Sequence, residues 1–208
     1  MGNLFNVLKA SCIFIVFLFL PMAGKTQSNC VLKKNKNNIK IYSCPTKESA
    51  FNTIRAEFEV NTTVEKYISL VLDIENYKNW RYHETNHRLL KKISDNEIIY
   101  YNQVNAPFPV SDRDLVSHLT ISQDPQTKVV TLTTVSMPDY IPPVDGIVRI
   151  PKSKSIMILT PISESRLKAS CIINVDPGGQ IPAWVANTFS TQGPYEAFKK
   201  VIEEMEGK

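Results

Sequence analysis

The chain has 208 residues, 43% of them apolar and 21% charged, with a formal net charge of +4. Those values fit one globular domain with a sizeable core. The charge is too mild, and too free of Lys/Arg stripes interleaved with aromatic residues, to point to a nucleic-acid partner.

Taken in chain order, the first feature is Lys9 followed by an apolar run over residues 12–20, then Pro21 and small or polar residues to Ser28. A hydrocarbon core takes about 20 apolar residues to cross, so this run is too short to span one. A charged start, a short apolar centre and a polar exit predict a secretory signal peptide over residues 1–28. The alternative is an N-terminal anchor or buried helix. With cleavage between Ala23 and Asn29, the mature domain is residues 29–208, secreted or periplasmic. Losing Lys9 and Lys25 and no acids lowers the charge from +4 to +2.

Cys12 leaves with the signal, so Cys30, Cys44 and Cys171 remain. An oxidising compartment favours closing one pair. Residues 31–34 and 39–43 predict a hairpin around the polar turn 35–38, and pairing it places Cys30 nearly opposite Cys44. A Cys30–Cys44 disulfide is expected. Cys171 alternates with Leu167, Ala169, Ile173 and Val175 and is expected as a buried thiol.

Ile54, Ala56, Phe58 and Val60 alternate with charged residues, predicting a strand with one wet face. Thr62-Thr63-Val64-Glu65 has the capping-box pattern, in which a hydroxyl and a carboxylate satisfy orphan amides at a helix start. Val64, Ile68, Val71 and Leu72 then carry a helical stripe to about Tyr77. Residues 79–87 read as a link to the next strand. Further strands are predicted at 98–104, 115–122, 129–136, 146–150, 156–160 and 166–175. Asp176-Pro177-Gly178-Gly179 ends them. A long amphipathic helix opens at Pro182, and Pro194 removes a bond to the Ser190 carbonyl, so a kink or break is expected there. The order predicts an α+β domain: one curved antiparallel sheet wrapped on a terminal helix.

The stretch from Tyr100 to Val116 organises the rest. Pro107 and Pro109 impose an extended corner, after which strand parity turns Arg113 the same way as Leu115, Leu119 and Ile121. An arginine aimed at an apolar interior is costly unless something negative meets it. Either an acid such as Asp145 or Asp176 bridges it, or a ligand meets it, through a phosphate, carboxylate or sulfate or through a hydroxyl or ketone bonded by way of water.

Pro107-Phe108-Pro109-Val110-Ser111-Asp112-Arg113-Asp114 resembles the Pro-Phe-Pro-x-Ser-x-Arg-Asp signature of START domains, the steroidogenic-acute-regulatory-related lipid-transfer modules. Trp80, Asp176-Pro177-Gly178-Gly179-Gln180-Ile181-Pro182 and the terminal helix sit where that family places similar residues. The resemblance covers about residues 30–206. It implies a helix-grip fold around an apolar tunnel for one lipid, with the last helix as a lid. Some members carry an acid at the position of Gln103 that pairs with the arginine; Gln103 supplies no charge.

Other chemistry is sparse. His83-Glu84-Thr85-Asn86-His87 matches the H-E-x-x-H zinc pattern, but that chemistry puts both histidines on one helix face, and this segment reads as a loop entering a strand. No nucleophile elbow, phosphate loop or dinucleotide fingerprint occurs. His118 alternates to the face opposite Arg113 and reads as a surface residue. The expected ligand contacts are Arg113, Gln103, Tyr101, Ser111, Trp80, Trp184, Thr188 and Phe189, although Trp80 and Phe108 read more as core than as contacts. The reading is an exported monomer that binds or shuttles one lipid or hydrophobic molecule, with transient membrane contact and without catalysis, cofactor or metal. Its alternatives are a cyclase- or hydrolase-like enzyme of the same fold, and a partner-binding domain with a filled core.

Overall fold

The computed structural model of the chain describes residues 29–106 and 110–207, except for the side chain of Phe189. The expected signal segment and the Pro107-Phe108-Pro109 corner therefore lie outside the described residues. A hairpin opens the domain, β1 (Val31–Lys36) and β2 (Ile39–Cys44), followed by β3 (Thr53–Val60). Asn37 and Asn38 turn the hairpin at φ 54° and 60°, a left-handed conformation that asparagine tolerates. Val31 faces Ser43, so the next residues outward are the two cysteines, and a disulfide joins Cys30 to Cys44 with Cα atoms 4.0 Å apart.

Helix α1 (Val64–Leu72) starts one residue later than the capping box implied. Thr63 is the cap, its Oγ1 accepting from the Lys66 amide at 3.2 Å, while the Thr62 hydroxyl is buried against Met205 Sδ at 3.2 Å. A 3-10 turn (Ile74–Asn76) and the short α2 (Tyr77–Trp80) lead to the long strands β4 (Glu84–Ser94), β5 (Glu97–Val104) and β6 (Arg113–Gln123). The segment expected to be a link through His87 is already strand from Glu84. Then come β7 (Val130–Ser136), the two-residue β8 (Val148–Arg149), β9 (Lys152–Ser163) and β10 (Arg166–Asp176).

These strands form one ten-stranded sheet in the order β1-β2-β3-β10-β9-β7-β6-β5-β4, antiparallel along that path, with β8 pairing parallel to β6. The expected single C-terminal helix is two: α3 (Ala183–Phe189) and α4 (Gln192–Glu206). Pro194 sits in the first turn of α4, where its missing amide leaves the Ser190 carbonyl without a helical donor and breaks the run. Helix α4 packs on β2, β3 and α2. Its Tyr195, Phe198, Val201 and Met205 are buried, and Phe198 stacks on Phe58 with ring centroids 4.9 Å apart. Each such side chain contributes roughly 1.5–3 kcal/mol through apolar burial. The hairpin grips the same helix from outside: Lys34 Nζ donates to Gln192 Oε1 at 2.8 Å and lies 3.8 Å above the Tyr195 ring. No helix among the described residues is long and apolar enough to cross a membrane.

Candidate functional site

Strand β6 divides its side chains between two environments. Arg113, Leu115, Ser117, Leu119 and Ile121 share one face, and Leu119 and Ile121 belong to the main core with Phe58, Tyr77, Trp80, Tyr100 and Phe198. This is the inner face, toward α4. Asp114 and Val116 face the other way, where Ile99, Tyr101 and Val116 form a second, smaller core.

Arg113 is on the inner face as expected and is 7% exposed. Its Nη1 donates to the Ser111 carbonyl, and its Nη2 lies 3.6 Å from where a Cβ on Gly179 would stand. Gly179, at φ 67°, therefore lets the 176–182 turn pass close to the guanidinium. The Arg113 Nε–H has no hydrogen-bond partner among the described residues. Burial pushes its pKa below the ordinary arginine value, with nearby Asp112 opposing. Neither acid proposed as an internal bridge reaches it: among the described residues Arg113 forms no salt bridge, and Asp176 Oδ1 accepts instead from the Gly178 amide at 2.9 Å.

The outer face of the same strand is different. Arg149 Nε and Nη2 donate to the two oxygens of fully buried Asp114 at 2.7 and 3.0 Å, and its Nη1 donates to the Pro138 and Ile141 carbonyls. That guanidinium is satisfied by the chain itself and clamps the 138–142 loop to the sheet.

Several expected contacts belong elsewhere. Val104 faces Arg113 across the ladder and Gln103 faces Asp114, so Gln103 and Tyr101 stand on the outer face. Gln103 Nε2 donates to Asp112 Oδ2 at 3.3 Å, and Tyr101 lies beneath Arg88 at 4.8 Å. The register pairs even-numbered residues of β5 with odd-numbered residues of β6, and a one-residue error in that register exchanges the faces. Tyr100 and Asn102 are the inward residues. Ser111 contributes its carbonyl, and its side chain is exposed. Trp184 is 73% exposed and Thr188, one helical turn on, is exposed with its hydroxyl donating to the Trp184 carbonyl at 2.7 Å. They form the wet side of α3. Trp80, at 5% exposure, stays on the inner side, its ring in the core and its indole N–H without a hydrogen-bond partner among the described residues.

A further group of inward residues is brought in because β4 begins at Glu84, inside the segment expected to be a link. Arg81 Nη1 lies 3.8 Å from Glu84 Oε1, and His87 Nδ1 lies 3.7 Å from Glu84 Oε2. His87 faces Asn102 across the ladder and packs edge-on against Tyr77. Burial pushes the Glu84 carboxyl up, opposed by Arg81 and Asn102. Burial pushes His87 below the usual histidine value, opposed by the Glu84 backbone. A strand does not place His83 and His87 as helical zinc ligands. His83 sits at φ 55° against the Tyr82 ring, and Glu84 starts the strand. His118, on the outer face, is 2.7 Å from Glu97 Oε1 at the surface. Two clefts lie apart from this cluster: one of about 350 Å³ beside Val64, Gln123, Lys128 and Leu167, the other of about 310 Å³ at 137–140.

A long curved antiparallel sheet closed over a C-terminal helix, with an arginine aimed inward, is the helix-grip class of α+β protein. A family model described as START domain matches residues 20–206. The chain belongs to the START-domain family. It is 26% identical to an uncharacterized protein of Pseudomonas aeruginosa, covering 81% of this chain and 82% of that one. It is also 26% identical to the phosphatidylcholine transfer protein of Mus musculus, over 64% of this chain and 62% of the relative. Among solved structures, the STAR-related lipid transfer protein (fragment 25–204) of Xanthomonas axonopodis superposes with a TM-score of 0.79 at 28% identity, covering 85% of this chain and 98% of that one.

Proposed function

We propose that the chain binds one lipid or other hydrophobic small molecule between the inner face of the sheet and the C-terminal helices, with Arg113 meeting the polar head. One observation carries this reading: a buried guanidinium, on the apolar side of the sheet, whose Nε–H finds no hydrogen-bond partner and which forms no salt bridge among the described residues. Burying a charge without a partner costs several kcal/mol, and an anionic ligand group offsets that cost. Membership of the START family and similarity to proteins named for lipid transfer support the same reading. On this reading the protein is exported as a monomer and touches membranes only to load and unload.

A second reading, an enzyme of the same fold acting on a hydrophobic small molecule, draws on the buried pair Glu84 and His87, two titratable groups 3.7 Å apart on the inner face. Native mass spectrometry of protein purified from its own host separates the two. The lipid-binding reading expects a monomer carrying one co-purified lipid, released chemically unchanged, with the chain beginning between Ala23 and Asn29. A bound species that is converted on standing favours the enzyme, and an unliganded monomer counts against both.

A further inference from the structure

Arg113 is not the sole unpartnered polar group on the inner face. The Trp80 indole N–H, the Arg81 Nε–H, the Ser117 hydroxyl, both ring nitrogens of His87 and Glu84 Oε2 are buried without a hydrogen-bond partner among the described residues. Trp80 is 5% and Ser117 0% exposed, and the His87 side chain 4%. The ladder gathers Glu84, His87, Arg113 and Ser117, and Arg81 joins them at Glu84. Glu84, Val104 and Arg113 lie in one cross-strand row, His87, Asn102 and Leu115 in the next, and Tyr100 beside Ser117 beyond that. Neighbouring strands are about 4.8 Å apart, so the ends of a row stand roughly 10 Å apart. Arg113 therefore stands one row's width from Glu84, which Arg81 faces at 3.8 Å.

The chemistry of this set is lopsided. The indole and the two arginine Nε–H groups are donors only; serine offers either role, and neutral histidine one of each. The acceptors still free are Glu84 Oε2 and one imidazole nitrogen. What complements three fixed buried donors is a group rich in acceptors. The aromatic faces, which in other settings hold a quaternary ammonium, are already in use: the Arg81 guanidinium lies 4.7 Å over Tyr77 and 4.6 Å over Trp80. Tyr77 meets Trp80, His87 and Tyr100 at near-perpendicular edges, which uses the rest of its surroundings.

We propose that the inner face selects a lipid whose polar end is an acceptor-rich anion, a carboxylate or phosphate monoester, held between Arg113 and the donors of Trp80, Arg81 and Ser117. Arg81 occupies the aromatic faces and thereby excludes a trimethylammonium head. This rests on the reading of an interior lipid site and sharpens it to a head-group class.

The test uses delipidated mature protein and displacement of a fluorescent fatty acid by oleic acid, dioleoyl phosphatidic acid and dioleoyl phosphatidylcholine. Oleate or phosphatidic acid should bind at least about tenfold more tightly than phosphatidylcholine, the effect of one charge-assisted hydrogen bond. Trp80→Phe keeps a ring in the core and removes the N–H, and should weaken the anionic lipids about tenfold. Arg81→Gln should narrow the gap by admitting phosphatidylcholine. Preference for oleate alone assigns the site to carboxylates, and preference for phosphatidic acid alone to phosphates. Equal binding of phosphatidylcholine by the wild-type protein overturns the head-group proposal and leaves the lipid reading intact. Failure of the probe and all three lipids to bind overturns both.

Discussion

Arg149 and Arg113 are both guanidiniums set against strand β6, yet of the two only Arg149 forms a salt bridge among the described residues. Arg149 meets Asp114 on the outer face through two bonds to its oxygens and donates further to the loop carbonyls it clamps. Arg113, one residue from Asp114 in sequence but on the opposite face, has the Ser111 carbonyl and an unpartnered Nε–H. The outer arrangement is complete within the chain and reads as structure. The inner one is incomplete within the described residues and reads as a place for something else. The same residue type therefore stands in two different settings on one strand.

The largest expected effect breaks the outer pair. Asp114→Asn leaves Arg149 without its buried counter-charge and should cost about 3–5 kcal/mol. At about 2–4 °C per kcal/mol for a domain of this size, the melting temperature should fall roughly 6–20 °C. A drop no larger than that of an average surface variant would mean the pair is not the clamp described here.

Next comes the hairpin that holds α4. Replacing Cys30 and Cys44 with serine opens a link between residues 14 apart in sequence. Chain entropy puts the loss at roughly 3 kcal/mol. Denaturant midpoints with and without reductant check it, and a wild-type midpoint indifferent to reductant would contradict it.

A smaller effect lies in the inner cluster and depends on pH. His87 is depressed by burial, so the stability it contributes is present above its unfolded value of about 6.5 and is lost as pH falls. Glu84, raised by burial, works in the opposite sense: it favours the fold at low pH and loses that contribution as pH rises through its folded value. His87→Gln removes the first contribution alone. The variant should therefore gain on the wild type between pH 7 and 5, by about 1 kcal/mol or less. Parallel stability curves would show that His87 is not titrating inside the fold.

How legible all this was in the sequence differs along the chain. Alternation at Ile54–Val60 and Leu167–Val175, the paired cysteines, the helical stripe after Thr63 and the break at Pro194 each follow from local chemistry, and each stands in the structure. Arg113 was legible because its face is set by apolar neighbours on its own strand. Gln103 and Tyr101 were misplaced because their face depends on how β5 meets β6 across an eight-residue connection, 105–112, whose length does not fix register. Arg81, Glu84 and His87 were missed for a related reason. A run of histidine, glutamate, threonine and asparagine carries no apolar alternation, so nothing local announced that strand pairing would turn Glu84 and His87 inward. On α3 Trp184 was expected as a contact because it lies on the terminal helical segment read as a lid, whereas the helix turns it outward.

The central claim is that the charge of Arg113 belongs to a ligand. Arg113→Met keeps much of the side-chain volume and removes the guanidinium, and oleic acid and oleyl alcohol form a pair matched in length but not in charge. Binding of both to the wild type and the variant, measured beside thermal melting, tests the claim most directly. The account predicts that, without ligand, the variant is at least as stable as the wild type, because an unpartnered buried charge is removed and no salt bridge among the described residues is broken. It also predicts oleate affinity reduced at least about tenfold, with oleyl alcohol affinity retained. Equal loss of both ligands together with a lower melting temperature would contradict it and make Arg113 a structural residue, as Arg149 is.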